Sequence, residues 1–116
     1  KKGVADLANF DYESLLGVDF SMDKKQRVMT HASGSSHAMT LIAVDLKEGK
    51  PVKWMVENSW GPTAGYKGNI IMTDEWFDEY MFRLVVEKQF VPSDIMEMLN
   101  QKPIALPAWD PMFLDE

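Results

Sequence analysis

Two short stretches decide the fold, Ser35-Ser36-His37-Ala38-Met39 and Glu57-Asn58-Ser59-Trp60-Gly61. The first places a histidine just before the apolar run 38–44, whose length and flanking turn residues predict a buried strand. The second ends a run in which apolar side chains alternate, which predicts a strand with one face inward. Polar residues with a glycine separate the two runs and predict a hairpin connection. We therefore expect adjacent strands that bring His37 and Asn58 side by side.

Two further apolar segments, 70–72 and 82–86, predict additional strands with hairpin-like links. Short helices are expected where a capping residue precedes helical spacing, namely after Asn9 or Asp11 (ending at Gly17), after Ser21 or Asp23, after Thr73 or Asp74, and from Pro92 onward. Together these elements predict an α+β fold, with a small antiparallel β-sheet or half-barrel, short peripheral helices and an extended C-terminal arm.

The pattern divides the chain into three parts. Residues 1–36 read as connecting helices and a loop, residues 37–90 as a β-rich subdomain that carries the histidine and asparagine, and residues 91–116 as a helix and C-terminal arm. The charged residues of helix 24–29 are expected to face water. The last helix is expected to turn an apolar stripe inward, formed by Ile95, Met98 and Leu99.

The composition excludes several classes of protein. A chain of 116 residues suits one domain, and its net charge of −6 argues against nucleic acid and anionic membranes as partners. No apolar run approaches the roughly 18 residues of a membrane helix. No secretory signal is visible, and because the chain opens on Lys1 rather than Met, we expect its true N-terminus to be missing. With two His and no Cys, neither disulfides nor a structural zinc site are expected, and no cofactor is implied.

The predicted pair suits one kind of chemistry. An imidazole can activate a thiol nucleophile and later protonate the leaving amine, and an asparagine carbonyl can hold that imidazole in one tautomer. The chain contains no cysteine, so the sequence predicts half of an active site. Trp60 is expected to lie over the bond between His37 and Asn58 and exclude water from it. Filling of the core is the alternative role for this ring.

Two other groups compete for a functional role. His31 is the rival histidine, because Met29-Thr30-His31 resembles the sequence before His37, but it lacks a strand directly behind it. The second group is acidic and could suggest a calcium site, but the spacing and central glycine of an EF-hand are absent. A solvated helix face is therefore the favoured interpretation of this group, which comprises Asp74, Glu75, Asp78 and Glu79.

Several blocks together resemble a known family over nearly the whole chain. They are Met22-Asp23-Lys24, Ser36-His37-Ala38-Met39, Val44-Asp45-Leu46, the run from Lys53 to Gly61, Gly68, the run from Asp74 to Tyr80, and the run from Leu106 to Met112. The chain resembles the C-terminal part of the papain-like cysteine peptidases. Within that group it is similar to the bleomycin hydrolase / aminopeptidase C family. Ser36 stands where the family commonly has Thr.

The resemblance implies roles for individual residues. His37 would be the catalytic base, Asn58 its orienter and Trp60 a supporting residue. The nucleophilic Cys and the oxyanion-hole Gln would lie upstream, outside this chain. The C-terminal arm would run from Trp109 to Glu116, and the terminal carboxylate at Glu116 would meet the free amine of a peptide substrate. The ending Phe113-Leu114-Asp115-Glu116 is bulkier and more acidic than the family's usual small-residue ending.

The resemblance also implies an assembly. Family members form hexameric rings, so a homo-hexamer is expected, with the N-terminal catalytic half of the same protein as a further partner. A cytoplasmic location is expected, with a secreted or periplasmic one as the alternative because the N-terminus is missing. The sequence thus predicts the C-terminal portion of a cysteine-type aminopeptidase, inactive alone. The alternatives are a non-catalytic paralogue that serves as a binding or scaffold module, and an unrelated small β-rich interaction domain.

Overall fold

The computed structural model describes residues 3–111, which form short strands and helices around one sheet. The strands are β1 (Val4–Ala5), β2 (Thr40–Lys47), β3 (Lys50–Glu57) and β4 (Asn69–Thr73). The α-helices are α1 (Tyr12–Leu16), α2 (Lys24–Met29), α3 (Asp74–Tyr80) and α4 (Ser93–Met98). Single 3-10 turns lie at Leu7–Asn9 and Lys88–Phe90. The predicted α+β class is confirmed.

The sheet is mixed, with the strand order β1-β4-β3-β2. β2 pairs antiparallel with β3, and β3 pairs antiparallel with β4, whereas β1 runs parallel to β4. The prediction of a purely antiparallel sheet is therefore wrong at one edge. Two residues are too few to show alternation, so β1 left no strand pattern in the sequence.

The predicted hairpin between β2 and β3 is present and has a two-residue turn. Glu48 and Gly49 both have positive φ, 53° and 79°, as a type I′ turn requires. This turn matches the twist of paired strands and sets the register beside it. The register shifts between Asp45 and Leu46 and shifts back between Leu41 and Ala43. Lys47 lies opposite Lys50 at the turn, and Thr40 lies opposite Glu57 at the far end.

The segment between β3 and β4 packs its backbone closely against the N-terminal segment. Gly3 and Gly65 have positive φ, and a Cβ on Gly3 would lie 2.6 Å from the Gly65 Cα. A Cβ on Gly65 would lie 2.3 Å from the Asn69 carbonyl oxygen. Glycine is the residue that combines this conformation with this approach. The contact lets the Gly3 carbonyl accept the Ile71 N–H at 2.8 Å, beside the parallel pairing of β1.

At three helix starts the structure selects one of the two predicted caps, namely Asp11, Asp23 and Thr73, whereas α4 begins after Pro92 without a side-chain cap. Asp11 accepts the Ser14 N–H at 3.0 Å, and Gly17 ends α1 in the left-handed conformation. Asp23 and Gln26 form a reciprocal capping box at the start of α2. Thr73 accepts the Trp76 N–H at 3.3 Å at the start of α3.

Three burial or pairing predictions are wrong for residues 3–111. Segment 82–86 forms no strand, because no strand of the described sheet lies beside it, and Val85 is 99% exposed. β2 was expected to be buried, but all eight of its residues are exposed, because α3 packs on β3 and β4 rather than on β2. The stripe of α4 also faces outward rather than into a core, at Ile95, Met98 and Leu99.

Not all of the charged side chains of α2 are exposed to water. Lys24 and Arg27 are half-buried and reach the C-terminal end of α3, whereas Lys25 is exposed. The prediction fails because the helix pattern alone does not show that a second helix end lies within reach of these long side chains.

The described core is small. Its buried apolar residues are Val56 and Met72, on the paired strands β3 and β4. The accessible surface is 10080 Å², whereas a compact protein of this length exposes about 6,500 Å². No helix in the described part of the chain combines the length and apolar character needed to cross a membrane.

Candidate active site

His37 lies in the segment between α2 and β2. The chain has no regular structure from 33 to 39, and the strand begins at Thr40, three residues after the histidine. The histidine itself is exposed. The prediction of a histidine immediately ahead of a strand is therefore confirmed, although the strand begins two residues later than the apolar run.

Asn58 directly follows β3 and is buried, with 8% of its surface exposed. Its backbone N–H donates to the Gly68 carbonyl at 3.0 Å, which ties the end of the strand to the start of β4. Because Thr40 lies opposite Glu57, the ends of the two antiparallel strands bring the asparagine and His37 together. The side chain is thus fixed on the rigid part of the fold.

The two side chains form a hydrogen bond. His37 Nε2 lies 3.0 Å from Asn58 Oδ1, within the expected range of about 2.6–3.2 Å. The Ser59 backbone N–H donates to the same oxygen at 2.8 Å. A backbone N–H can only donate, so the Asn58 atom that Ser59 binds must be the amide oxygen and not the amide nitrogen. This oxygen is the atom that lies next to the imidazole. Nε2 of the neutral ring then carries the proton, and the Nδ1 lone pair remains available as a base.

Trp60 lies against the imidazole. Its ring centroid is 5.9 Å from that of His37, with an angle of 26° between the planes. The outer face of the indole is open, since Trp60 is 67% exposed. In the described residues this ring therefore stacks beside an exposed histidine and does not fill a core.

A cavity of about 790 Å³ adjoins the pair. Its lining includes Asn58 and Trp60, together with Phe10, Gly65 and Ile70. The lining is mostly apolar. It includes residues of the N-terminal segment, such as Phe10, together with Asn58. The Nδ2 atom of Asn58 is buried and meets no hydrogen-bond acceptor among residues 3–111.

The rival histidine lies elsewhere. His31 follows the end of α2 in a left-handed conformation, with φ of 60°, and its backbone N–H donates to the Val28 carbonyl. The ring that lies within hydrogen-bond distance of Asn58 Oδ1 is that of His37, so the structure distinguishes the two histidines.

The acidic group of α3 is only partly a solvated face. Glu75 and Asp78 are exposed, as predicted. Asp74 instead accepts the Trp54 Nε1–H at 2.7 Å, and Glu79 pairs with Arg27. The prediction is wrong for these two carboxylates because aromatic and basic partners reach them from distant segments. Within residues 3–111, no three His, Asp or Glu side chains come together as metal ligands.

The predicted C-terminal arm is described only in part. Trp109 is 82% exposed, and Glu116, the residue assigned to the substrate amine, lies outside the described residues. Sequence reasoning did not identify the Ser59 N–H, because a backbone donor leaves no mark in the residue pattern.

The family model described as the Peptidase C1-like family matches residues 1–113. Bleomycin hydrolase from Mus musculus is 48% identical over 116 residues, which cover 97% of this chain and 26% of the mouse protein. Aminopeptidase C from Lactobacillus delbrueckii subsp. lactis is 42% identical over 113 residues, which cover 95% of this chain and 25% of that protein.

A solved structure agrees with these matches. The crystal structure of PepW from Lactobacillus rhamnosis HN001 superimposes with a TM-score of 0.82 at 39% identity, covering 97% of this chain and 26% of that one. The match confirms the papain-like fold class. The chain spans about a quarter of the length of the relatives it matches. On the extent of the family match and the identity to its relatives, this chain belongs to the Peptidase C1-like family.

Proposed function

We propose that this chain is the histidine- and asparagine-bearing C-terminal portion of a cysteine-type aminopeptidase. The observation that carries the proposal is the hydrogen bond from His37 to Asn58 Oδ1 at 3.0 Å, with Trp60 stacked on the ring. The names of its relatives, bleomycin hydrolase and aminopeptidase C, supply the reaction class. The nucleophile comes from elsewhere, since these residues include no cysteine.

In the proposed reaction the imidazole relays one proton in each of two stages, formation of a thioester and its hydrolysis. His37 Nδ1 takes the proton of the thiol, and the resulting thiolate attacks the scissile carbonyl carbon. The imidazolium then returns the proton to the leaving amine as the C–N bond breaks and a thioester forms. Water, deprotonated by the same nitrogen, then attacks the acyl carbon of the thioester. The C–S bond breaks, the carboxylic acid leaves, and the imidazolium returns its proton to the sulfur, which restores the thiol. Asn58 holds the ring so that Nδ1 faces the sulfur throughout.

The exposed apolar surface supports the remainder of the same protein as a partner. The 10080 Å² of accessible surface far exceeds that of a compact chain of this length, and β2 is exposed on both faces. Relatives about four times as long have chain to cover it. The isolated portion should be inactive.

Assembly, location and substrate trimming complete the proposal and depend on the family resemblance. Peptides are the substrates, the protein forms a homo-hexamer, and it lies in the cytoplasm. The arm that includes Glu116 meets the free amine of the peptide, which confines cleavage to N-terminal residues.

The test uses the full-length protein and an aminoacyl fluorophore. Wild-type enzyme should turn over and should lose activity after treatment with a thiol-alkylating reagent. His37→Ala should abolish turnover, whereas His31→Ala should preserve it. Turnover that survives alkylation would remove the cysteine mechanism. A full-length sequence with Ser or Ala in place of the nucleophile would favour the non-catalytic binding module.

A further inference from the structure

A second set of contacts, away from the His37–Asn58 pair, joins α2 to the C-terminal end of α3. Arg27 Nη2 lies 2.5 Å from Glu79 Oε2 and donates to the Glu79 carbonyl at 3.0 Å. The guanidinium also lies over the Tyr80 ring, 4.5 Å from its centroid. The side chains of Arg27 and Glu79 are 12% and 33% exposed, so water screens this ion pair less than a surface pair.

Lys24 adds a second connection between the same helices. Its Nζ donates to the Asp78 carbonyl at 2.7 Å and to the Met81 carbonyl at 2.5 Å. The last carbonyls of a helix have no partner within the helix, so a lysine there satisfies acceptors that would otherwise need water. We call the contacts of Lys24 and Arg27 with 78–81 the α2–α3 clasp.

The clasp fixes the start of the segment that carries the histidine. The Arg27 carbonyl accepts the N–H groups of Ala32 and Ser33 at 2.8 and 3.3 Å, and His37 follows within a few residues. No regular structure supports 33–39, so this segment depends on its two ends. One end is β2, within the sheet. The other is the end of α2, which the clasp holds.

Contacts between α3 and β3 connect the clasp to Asn58. Trp54 on β3 donates to Asp74 at 2.7 Å and stacks on Phe77 with centroids 4.6 Å apart, so α3 is fixed to the strand that immediately precedes Asn58. The two members of the catalytic pair are thus joined by strand pairing and, independently, by the path through α3, the clasp and α2.

We propose that Arg27 and Glu79 are positioning residues, which hold the segment bearing His37 at the distance that keeps its imidazole on Asn58. The inference rests on the proposed function. Neither residue contacts the imidazole. Their effect is transmitted by the backbone between α2 and the histidine, so it should change the rate of the chemical step more than the binding of substrate.

The test compares Glu79→Gln and Arg27→Ala with Glu75→Gln and Lys25→Ala in the full-length protein. The last two remove charges from exposed positions of the same helices. At temperatures well below the unfolding midpoint, the clasp variants should lower kcat about tenfold, less than the hundredfold that a misplacement of about 1 Å can cost. KM should stay within about twofold, because the substrate contacts are unchanged.

Two additional measurements separate positioning from stability. The alkylation rate of the nucleophilic thiol by iodoacetamide should fall with kcat, because it reports the sulfur activated by His37. Arg27→Lys, which keeps the charge, should recover part of the lost kcat. Unchanged kcat and alkylation in variants with a lowered unfolding midpoint would overturn the inference while leaving the proposed function intact. If His37→Ala retained turnover, the proposed function itself would fail.

Discussion

Thr40 lies directly opposite Glu57 in the register of β2 and β3. This single pairing brings together two residues that are 21 positions apart, because His37 precedes one partner and Asn58 follows the other. The turn at Glu48 and Gly49 sets the register at the opposite end of the hairpin. That register shifts between Asp45 and Leu46 and shifts back between Leu41 and Ala43, so the two irregularities cancel at Thr40. The geometry of the His37–Asn58 pair is thus determined by strand pairing that includes two offsetting irregularities.

Replacing Asn58 with alanine should impair catalysis in the full-length enzyme. The bond to the imidazolium is charge-assisted, and such bonds contribute about 1.5–3 kcal/mol. Losing that amount in the transition state corresponds to a decrease in kcat/KM of about ten- to 150-fold. Steady-state kinetics on an aminoacyl fluorophore would measure it.

Ser59→Ala is the matched control for that substitution. It keeps the backbone N–H that donates to Asn58 Oδ1 and removes an exposed hydroxyl. We expect kcat/KM to stay near the wild-type value. Equal losses in the alanine variants of both residues would show that the carboxamide does not orient the histidine.

Trp60→Ala should weaken the His37–Asn58 interaction, because it removes the ring beside the imidazole. The ring stacks on the imidazole, and an aromatic pair contributes about 0.5–1.5 kcal/mol beyond its buried area, or about two- to thirteenfold in rate. Trp60→Phe should retain most of the activity because it keeps a flat aromatic face. Kinetics in which both variants match the wild type would assign the indole no part in catalysis.

Gly65→Ala should destabilise the fold more than Gly49→Ala. Both glycines have positive φ, so each substitution carries backbone strain of about 1–2 kcal/mol. A Cβ at Gly65 would also lie 2.3 Å from the Asn69 carbonyl oxygen, whereas nothing lies within 4 Å of one at Gly49. Thermal unfolding of the full-length variants would measure the difference. Equal midpoints would mean that the close approach of Gly65 to the Asn69 carbonyl is not retained.

The sequence predicted the features that are local. Helix caps at Asp11 and Asp23 follow from residue type and spacing, and the β2–β3 hairpin follows from two apolar runs separated by a glycine turn. The distance between His37 and Asn58 could be anticipated because strand pairing converts sequence position into spatial position. These predictions needed no knowledge of distant segments.

What the sequence could not predict depends on partners far along the chain. Arg27 and Glu79 are 52 residues apart, and nothing in either helix indicates the other. Segment 82–86 has the composition of a strand, but a strand also needs a hydrogen-bonded neighbour. The prediction that β2 is buried failed for a related reason. An apolar run predicts that a face of the strand will be covered, but it does not show which residues cover it.

The carboxyl group of Asp11 should titrate below its ordinary range in the folded protein. Hydrogen bonds from the Ser14 side chain and then from the Ser14 backbone N–H lower its pKa from the ordinary value of 3.8. A lowered folded-state pKa stabilises the fold above the unfolded-state pKa, and this contribution is lost as pH falls through the folded-state pKa. NMR titration of the carboxyl carbon would measure it.

Ser14→Ala tests the cause of that shift. The substitution removes the hydroxyl but keeps the backbone N–H, so the pKa of Asp11 should rise part of the way toward its ordinary value. A wild-type midpoint at or above the ordinary value would contradict the observed cap of α1.

The isolated 116-residue chain should self-associate. β2 presents an unpaired edge with apolar side chains at Leu41, Ile42, Val44 and Leu46, and an exposed edge of this kind recruits other strands. Size-exclusion chromatography with light scattering should show oligomers or aggregates that increase with concentration. The full-length protein should show one defined species, because further chain would cover this edge.

Leu46→Lys should reduce the self-association of the isolated chain, because a charge on an edge strand opposes pairing with another edge. Gln101→Lys adds the same charge at an exposed polar position and should leave association unchanged. Equal solubility gains in the two variants would attribute the effect to net charge rather than to the edge. A wild-type fragment that is monodisperse, monomeric and cooperatively melting would contradict the role assigned to the exposed apolar surface, and with it the need for the upstream half to complete the fold.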